Sequence, residues 1–456
     1  MRSIVVPGWG QIATPRRTLG RVLVFVTGLA GVAALTVFLF VQPLEIVAWL
    51  ANPDVILGVI LVNVLILLVR LLSTEHAWRS RGGSRWFVAI VLAMIVSIPH
   101  VAIGWVGIET RSAMTSVFSQ PAVVAAPIET TTTSTSSTTT TTAPIELSPI
   151  ITTPGQYVPD VMDATTTSPW EPFGRERLNI VLLGGDSGPG RVGLRTDTMM
   201  VASIDPITGD SVLVGLPRNF GGVTLADGSA VPVTQLGHVY GWGAKNADRF
   251  PGPNPGAAAV RDAIGNITGL EIDNYVLVDL TGFADVVDAF GGVTLEVTEP
   301  IDGPLYDTTT GTYEMVNIPI GIQHLDGAHA LAYSRARYGS SDYSRMGRQR
   351  CVLATMASQA DLLTLFARIG DLLGSIEANV DTDLPAESIP DLIRLTPRIN
   401  AATIRMIGFD PTWGTGATSA GRPVPDVGRI REAVRRVIEE PASVSELGAT
   451  TAEGGC

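Results

Sequence analysis

The chain is 456 residues long, with 31 Lys+Arg against 43 Asp+Glu and a formal net charge of −12. Only 16% of its residues are charged, where a soluble domain usually has about 25%, and mean hydropathy is +0.31. These values exclude a disordered polyelectrolyte and a wholly soluble enzyme of ordinary make-up, and the acidic excess argues against a nucleic-acid partner, which needs a basic footprint.

The charge is unevenly placed. Residues 1–120 hold nine arginines and four acids, a net of +5, which leaves −17 for the remainder. Val22–Val41 is 20 residues without a charge, and Trp86–Ile108 is 23, interrupted softly by Pro99 and His100. About 20 apolar residues cross a bilayer core as a helix. Val55–Val69 has only 15, between Asp54 and Arg70, and spans if Arg70 snorkels to the interface. No small-x-small cleavage site closely follows the first run, and a further apolar run does, so it reads as a span rather than a cleaved signal. The N-terminal tail carries four arginines, the 73–85 loop three and the first intervening loop none. Basic loops stay cytoplasmic. The expectation for 1–109 is therefore an all-α membrane region of three transmembrane helices, multi-pass, with a cytoplasmic N-terminus and everything after Ile108 extracytoplasmic.

Residues 110–174 show no hydrophobic period. Thr130–Thr142 is thirteen consecutive Thr or Ser, and eight prolines lie between Pro121 and Pro172. Such a tract has too little apolar surface to order itself. It reads as a flexible linker of roughly 45 Å r.m.s. reach at about 5–6 Å times the square root of length, holding a body some distance above the membrane.

From Leu178 strands and helices alternate. Asn179–Leu183 is a buried-strand pattern entering Gly184-Gly185. Thr198–Ile204 and Ser211–Leu216 read as a hairpin. Ala257–Gly265 is helical, Tyr275–Asp279 a strand, Phe283–Phe290 a helix and Val293–Val297 a strand. His329–Ser334 is apolar and leads into Arg335 and Arg337, which alternate on a strand and share a face. Ser344–Phe366 is a long helix, with helical patterns near 369–378, 388–399 and 427–439. This is the α/β class, a sheet with helices on both faces, at 175–440, followed by a tail at 441–456.

Two stretches carry chemistry. The first is the glycine-rich loop from Gly184 to Asp197. It lacks the GxxxxGK[ST] spacing of a phosphate loop. Its Gly185-Asp-Ser-Gly188 resembles a serine-protease nucleophile signature, but no histidine is suitably placed to serve as base. Asp186 and Asp197 flank the loop, and Arg195 shares a strand face with Asp197. Paired carboxylates with few nitrogen or sulfur ligands suit a hard cation such as Mg²⁺, with Mn²⁺ the alternative. An Arg–Asp salt bridge is the competing reading. The second stretch is Tyr333-Ser-Arg-Ala-Arg-Tyr338 with Asp342-Tyr-Ser-Arg-Met-Gly-Arg-Gln-Arg350. Arg345 and Arg348 are three apart on a helix, with Gln349 beside them. Guanidinium forks fit phosphate oxygens in bidentate fashion. Surface ion pairing, which stabilises little, is the alternative. Arg218, in Leu216-Pro-Arg-Asn219, is a further candidate.

Several motifs in order and at matching spacing resemble the LytR-CpsA-Psr (LCP) family of cell-wall glycopolymer transferases. They are Asn179-Ile-Val-Leu-Leu-Gly-Gly-Asp186, Leu194-Arg-Thr-Asp-Thr-Met199, Leu216-Pro-Arg218, Phe290-Gly-Gly-Val293, Leu325 through Arg337, and Asp342 through Gln349. The resemblance covers about 175–440. It implies a mixed sheet between helices, a deep apolar pocket for a polyprenyl chain, and transfer of a glycopolymer with a phosphate from a polyprenyl-pyrophosphate carrier to a peptidoglycan hydroxyl. It implies Mg²⁺-associated carboxylates at Asp186 and Asp197. It also implies pyrophosphate-binding arginines at Arg195, Arg218, Arg335, Arg337 and Arg345, with Gln349 closing the site. Arg348 joins the binding set by its place on the helix. Asp186, Asp197, Arg195 and Arg337 are the catalytic candidates. The family has Asp where this chain has Asn219, an amide that takes no proton. Two other functions stay open: a polyprenyl-phosphate sensor without turnover, and a polyprenyl-pyrophosphate hydrolase. Cys351 and Cys456 both fall in the exported part, where disulfides persist. A bond between them and two unrelated thiols are the two readings.

Overall fold

Among the described residues four helices precede the body: α1 (Arg17–Phe40), α2 (Pro43–Leu50), α3 (Pro53–Arg79) and α4 (Trp86–Phe118). The computed structural model describes residues 17–79, 86–118, 176–186, 195–307, 312–337, 341–359, 379–399, 403–440 and 450–451. Among the described residues, three helices are long and apolar enough to cross a membrane, at Gly20–Val37, Pro53–His76 and Ile90–Phe118. The middle one is thus longer than the 15-residue run suggests, because Leu71, Leu72 and uncharged Ser73-Thr74 carry the apolar surface past Arg70. Helix α4 also continues ten residues beyond Ile108, into what reads as linker. Pro99 lies inside α4. Beside it, the Asn63 side-chain amide donates to the His100 carbonyl at 2.8 Å, and the two side chains meet at 2.6 Å. Such interhelical polar ties hold membrane helices together.

The body is built on a seven-stranded mixed sheet. Its strands in chain order are β1 (Leu178–Gly185), β2 (Thr196–Ile204), β3 (Ser211–Gly215), β4 (Asn274–Val278), β9 (Val380–Thr382), β10 (Arg405–Gly408) and β13 (Thr450–Thr451). Their spatial order is β13-β10-β3-β2-β1-β4-β9. β1, β2 and β3 form an antiparallel meander, while β4 runs parallel to β1 and β10 parallel to β3. Alternation along β1 sends Val181 and Leu183 to one face and Leu178, Ile180 and Leu182 to the other. On the first face lie α6 (Pro255–Thr268) and α11 (Val427–Glu439), which pack Val260, Ile264, Ile430 and Val434 onto the main core. The α5 helix (Val239–Lys245) adds Val239 there. Helix α11 starts at Asp426, whose carboxylate accepts from Arg429 N at 3.0 Å. Asp426→Ala removes this cap and should lower stability by about 1 kcal/mol, read as a small drop in thermal midpoint with activity unchanged.

The second face carries α7 (Leu280–Ala289), α8 (Gly327–Arg335), α9 (Asp342–Gln359) and α10 (Ile389–Leu395). A satellite core joins Val287, Ala330, Tyr333, Cys351 and Val352 to β5 (Val293–Val297) and β8 (Gly321–Leu325). An extra hairpin, β6 (Ile301–Tyr306) with β7 (Tyr313–Ile318), stands beside α8. A short pair, β11 (Gly414–Ala417) and β12 (Pro423–Pro425), completes the fold.

One expectation is corrected here. The segment before Arg335 is helix α8, not a strand. Asp326 caps it by accepting from His329 N at 2.9 Å, and Gly327 lets it press against the α7 backbone. Arg335 is its last residue, and Ala336 turns extended beyond it. The long helix is described from Asp342 to Gln359. The helical pattern at 369–378 and most of the C-terminal tail lie outside the described residues.

Candidate active site

A cavity of about 650 Å³ opens between the sheet's second face and helices α7, α8 and α9. Its inner wall is apolar: Leu182, Met200, Val276, Val278, Phe283, Leu331 and Leu353. Met315 and Tyr313 of β7 overhang it, both largely exposed. The mouth is polar, lined by Asp186, Arg195, Asp197, Arg218, Ser334, Arg335, Arg337, Arg345 and Gln349. All but one of the site residues expected from sequence therefore converge on one cavity.

Local structure explains how they arrive. At the loop end of the β1–β2 hairpin, a register shift between Gly184 and Gly185 re-aims the strand. Asp186 N donates to Arg195 O at 3.0 Å, and Arg195 N donates to Asp186 Oδ1 at 2.8 Å. Arg195 Nε lies 3.4 Å from Asp186 Oδ2. The Asp186 side chain is largely buried, whereas that of Arg195 is 63% exposed, free to reach a ligand at the rim. Residues 187–194 of the glycine loop lie outside the described residues. Arg218 ion-pairs with Asp197 through Oδ1. Arg345 reaches the Asp197 carbonyl oxygen at 3.2 Å from α9. Arg337 follows the end of α8, and the Arg335 guanidinium carbon sits 5.8 Å from the Tyr306 ring centre. The Ser334 hydroxyl is buried without a hydrogen-bond partner among the described residues.

Arg348 is the exception. It lies beside Glu299, Tyr333 and Cys351 in a smaller depression. It donates through Nε to Tyr333 O at 3.1 Å and through an η-nitrogen to Ala336 O, while the Gln349 amide donates to Ser334 O at 3.3 Å. These are carbonyls at the C-terminal end of α8, which a cation satisfies well. Arg348 thus fastens the helix that delivers Arg335 and Arg337. Burial lowers its pKa from the usual arginine value, with Tyr333 and Glu299 opposing.

Asn219 donates from its amide to the Tyr343 hydroxyl at 3.3 Å. Its carbonyl oxygen is buried without a hydrogen-bond partner among the described residues. His238 is a neighbour that the sequence did not single out. Gly237 N donates to Arg218 O at 2.8 Å, so the adjacent His238 stands beside Arg218. Burial is the largest cause depressing its pKa, followed by Arg195, Arg422 and Arg218, with Asp197 opposing. Its nitrogens meet Thr234 Oγ1 at 3.0 Å and the Gln235 amide at 3.2 Å. Only its position in the fold reveals it.

Among the described residues no group of three or more His, Cys, Asp or Glu gathers as a metal site. Asp186 and Asp197 do share the mouth, and two carboxylates suit a cation that keeps waters and takes substrate oxygens. Cys351 is buried and disulfide-bonded; Cys456 lies outside the described residues.

Residues 156–421 match the family model described as LytR_cpsA_psr family. A polyisoprenyl-teichoic acid–peptidoglycan teichoic acid transferase, TagU of Oceanobacillus iheyensis, is 29% identical over 242 residues, covering 52% of this chain and 69% of that protein. A probable cell wall biosynthesis protein, LcpB of Corynebacterium glutamicum, is 35% identical over 191 residues, covering 40% of this chain and 38% of its own length. The crystal structure of B. subtilis TagV aligns with a TM-score of 0.44 at 22% identity, covering 58% of this chain and 98% of that one.

Proposed function

Since the chain belongs to the LytR-CpsA-Psr family, we propose that it is a membrane-anchored phosphotransferase. It moves a glycopolymer, with one phosphate, from a polyprenyl-pyrophosphate carrier onto a peptidoglycan hydroxyl. The observation that carries this reading is the single cavity with an apolar interior and a mouth of arginines and carboxylates. A polyprenyl chain needs the first and a diphosphate the second. The names of the related transferases agree with such a substrate and acceptor.

Arg218, Arg335, Arg337 and Arg345 would bind the diphosphate oxygens and stabilise charge developing on the transferred and leaving groups. Arg195, exposed at the rim, would close over them. The acceptor hydroxyl attacks the phosphorus bonded to the glycopolymer; its oxygen–phosphorus bond forms as the bond to the bridging oxygen breaks. Polyprenyl phosphate leaves with that oxygen. The hydroxyl proton passes to a base within hydrogen-bond reach. Asp186 and Asp197 would hold Mg²⁺, which neutralises diphosphate charge when bound. Extracytoplasmic placement of the body follows from the arginine bias of the loops.

Full-length protein in vesicles, given polyprenyl-pyrophosphate glycopolymer, Mg²⁺ and peptidoglycan, should release polyprenyl phosphate and yield a covalent glycan–peptidoglycan product. EDTA should stop release, and excess Mg²⁺ should restore it. Tight binding without release would replace the transferase with a sensor. Release without the covalent product would replace it with a hydrolase.

A further inference from the structure

The cavity has a direction. Along the second face of β1 the side chains succeed one another as Leu178, Ile180 and Leu182, followed by Gly184 and then Asp186 at the mouth. From Leu178 to Asp186 is roughly 26 Å at about 3.3 Å per residue. Leu182 and Val276 line the cavity's apolar interior. The same two side chains belong to a cluster with Leu178, Ile180, Leu384, Leu392 and Phe118. Phe118 is the last residue of α4, the third apolar helix. The apolar end of the cavity and the end of that helix therefore share side chains.

The contact at Phe118 is not isolated. One turn earlier, Ala113 and Met114 pack with Ala51, Ile56, Ile389 and Ile393. Arg111 Nε donates to the Pro53 carbonyl at 3.2 Å, tying α4 to the start of α3. Helix α2 lies against α10, where Arg394 bonds Glu45 at 3.0 Å and Asp391 at 2.9 Å. Helix α2 joins the first two spans, and Phe118 ends the third. With three spans these two features fall on the same side of the bilayer, and both grip α10.

We propose that the outer ends of the membrane helices and α10 form a docking interface. It seats the catalytic domain on the bilayer with the apolar end of its cavity toward the source of the lipid chain, and Phe118 is the positioning residue at the join. An amphiphile leaving the bilayer then enters head group first beside Phe118, with its tail trailing toward the bilayer. Its diphosphate comes to rest among the arginines, farther from the membrane. Phe118 and Leu178 belong to one cluster, so the docking itself fixes the height of the domain. This rests on the lipid-linked transferase reading for its function but not for its geometry.

The geometry is tested in vesicles on the full chain carrying Glu45→Cys and Arg394→Cys, treated with a short bis-maleimide. Arg435, exposed on α11 across the sheet, supplies the control pair Glu45→Cys with Arg435→Cys. Cross-linking of the first pair and not the second is expected. Absence of a cross-link in the first pair, or equal yields in both, overturns the docking. Phe118→Ala should raise KM for vesicle-borne long-chain substrate about tenfold with kcat within twofold, and leave a detergent-dispersed short-chain substrate unaffected. Phe118→Leu should restore most of the loss. Equal loss on both substrates, or none on either, overturns the positioning role. Cross-linking needs no turnover, so failure of the transferase reading would leave its result standing.

Discussion

Arg218→Ala should lower kcat/KM for release of polyprenyl phosphate by about 10²–10³-fold, a loss of about 2.7–4 kcal/mol of transition-state stabilisation. Arg218 sits between two demands. It holds Asp197 in an ion pair, and it faces the cavity mouth where the diphosphate would sit. The structural demand is minor, because the pair is part-exposed and pairs of that kind contribute about 0.2–1 kcal/mol. The unfolding midpoint should therefore barely move. Arg218→Lys should recover only part of the rate, since an ammonium lacks the planar fork that grips two oxygens. Wild-type rates in Arg218→Ala, measured under saturating Mg²⁺, would remove the arginine from the mechanism.

Gly327→Val should cost stability rather than chemistry, by about 3 kcal/mol. A Cβ on Gly327 would lie 2.0 Å from the Ala284 carbonyl oxygen and 2.6 Å from its carbon. Both atoms are backbone of α7, so no side chain can rotate away. Gly327 N also donates to Asp288 Oδ1 at 2.8 Å, which holds α8 against α7. Displacing α8 moves Arg335, so activity falls with stability. Thermal denaturation should show a drop of roughly 6–12 °C at about 2–4 °C per kcal/mol. Gly347→Ala is the matched control. It lies inside α9 with nothing near its would-be Cβ, and alanine there should stabilise by about 0.4–1 kcal/mol. Similar losses in both variants would rule out the close approach as the cause.

Much of the architecture is legible in the chain because it is written in local patterns. The three apolar helices follow from uncharged runs. The mixed α/β body follows from short apolar segments ending in glycine. Asp186, Asp197 and the arginines stand out because an acidic domain concentrates them at a few positions. What stays hidden depends on distant partners. The stretch with Arg335 and Arg337 reads as a strand until the helix ending at Arg335 is seen packed against α7. Arg345 and Arg348 look equivalent at three residues apart, yet that spacing leaves them about 60° apart around a helix of 3.6 residues per turn. Gln349 and Leu353 follow Arg345 into the cavity, while Arg348 leans toward Tyr333 and the satellite core. The grip of the membrane helices on α10 joins Glu45 to Arg394, a separation at which no periodicity speaks.

The meeting of Phe118 with Leu178 also has a consequence in evolution. The chain leaves the anchor at Phe118 and re-enters the fold at Leu178, and both residues belong to one apolar cluster, so the two ends of the intervening tract are held together. Closing a flexible loop costs free energy only as the logarithm of its length, about 0.6 kcal/mol for each doubling. Selection on fold stability thus acts weakly on that tract. Its length is left to drift, or to be shaped by demands made outside the catalytic domain, while the cavity keeps its place.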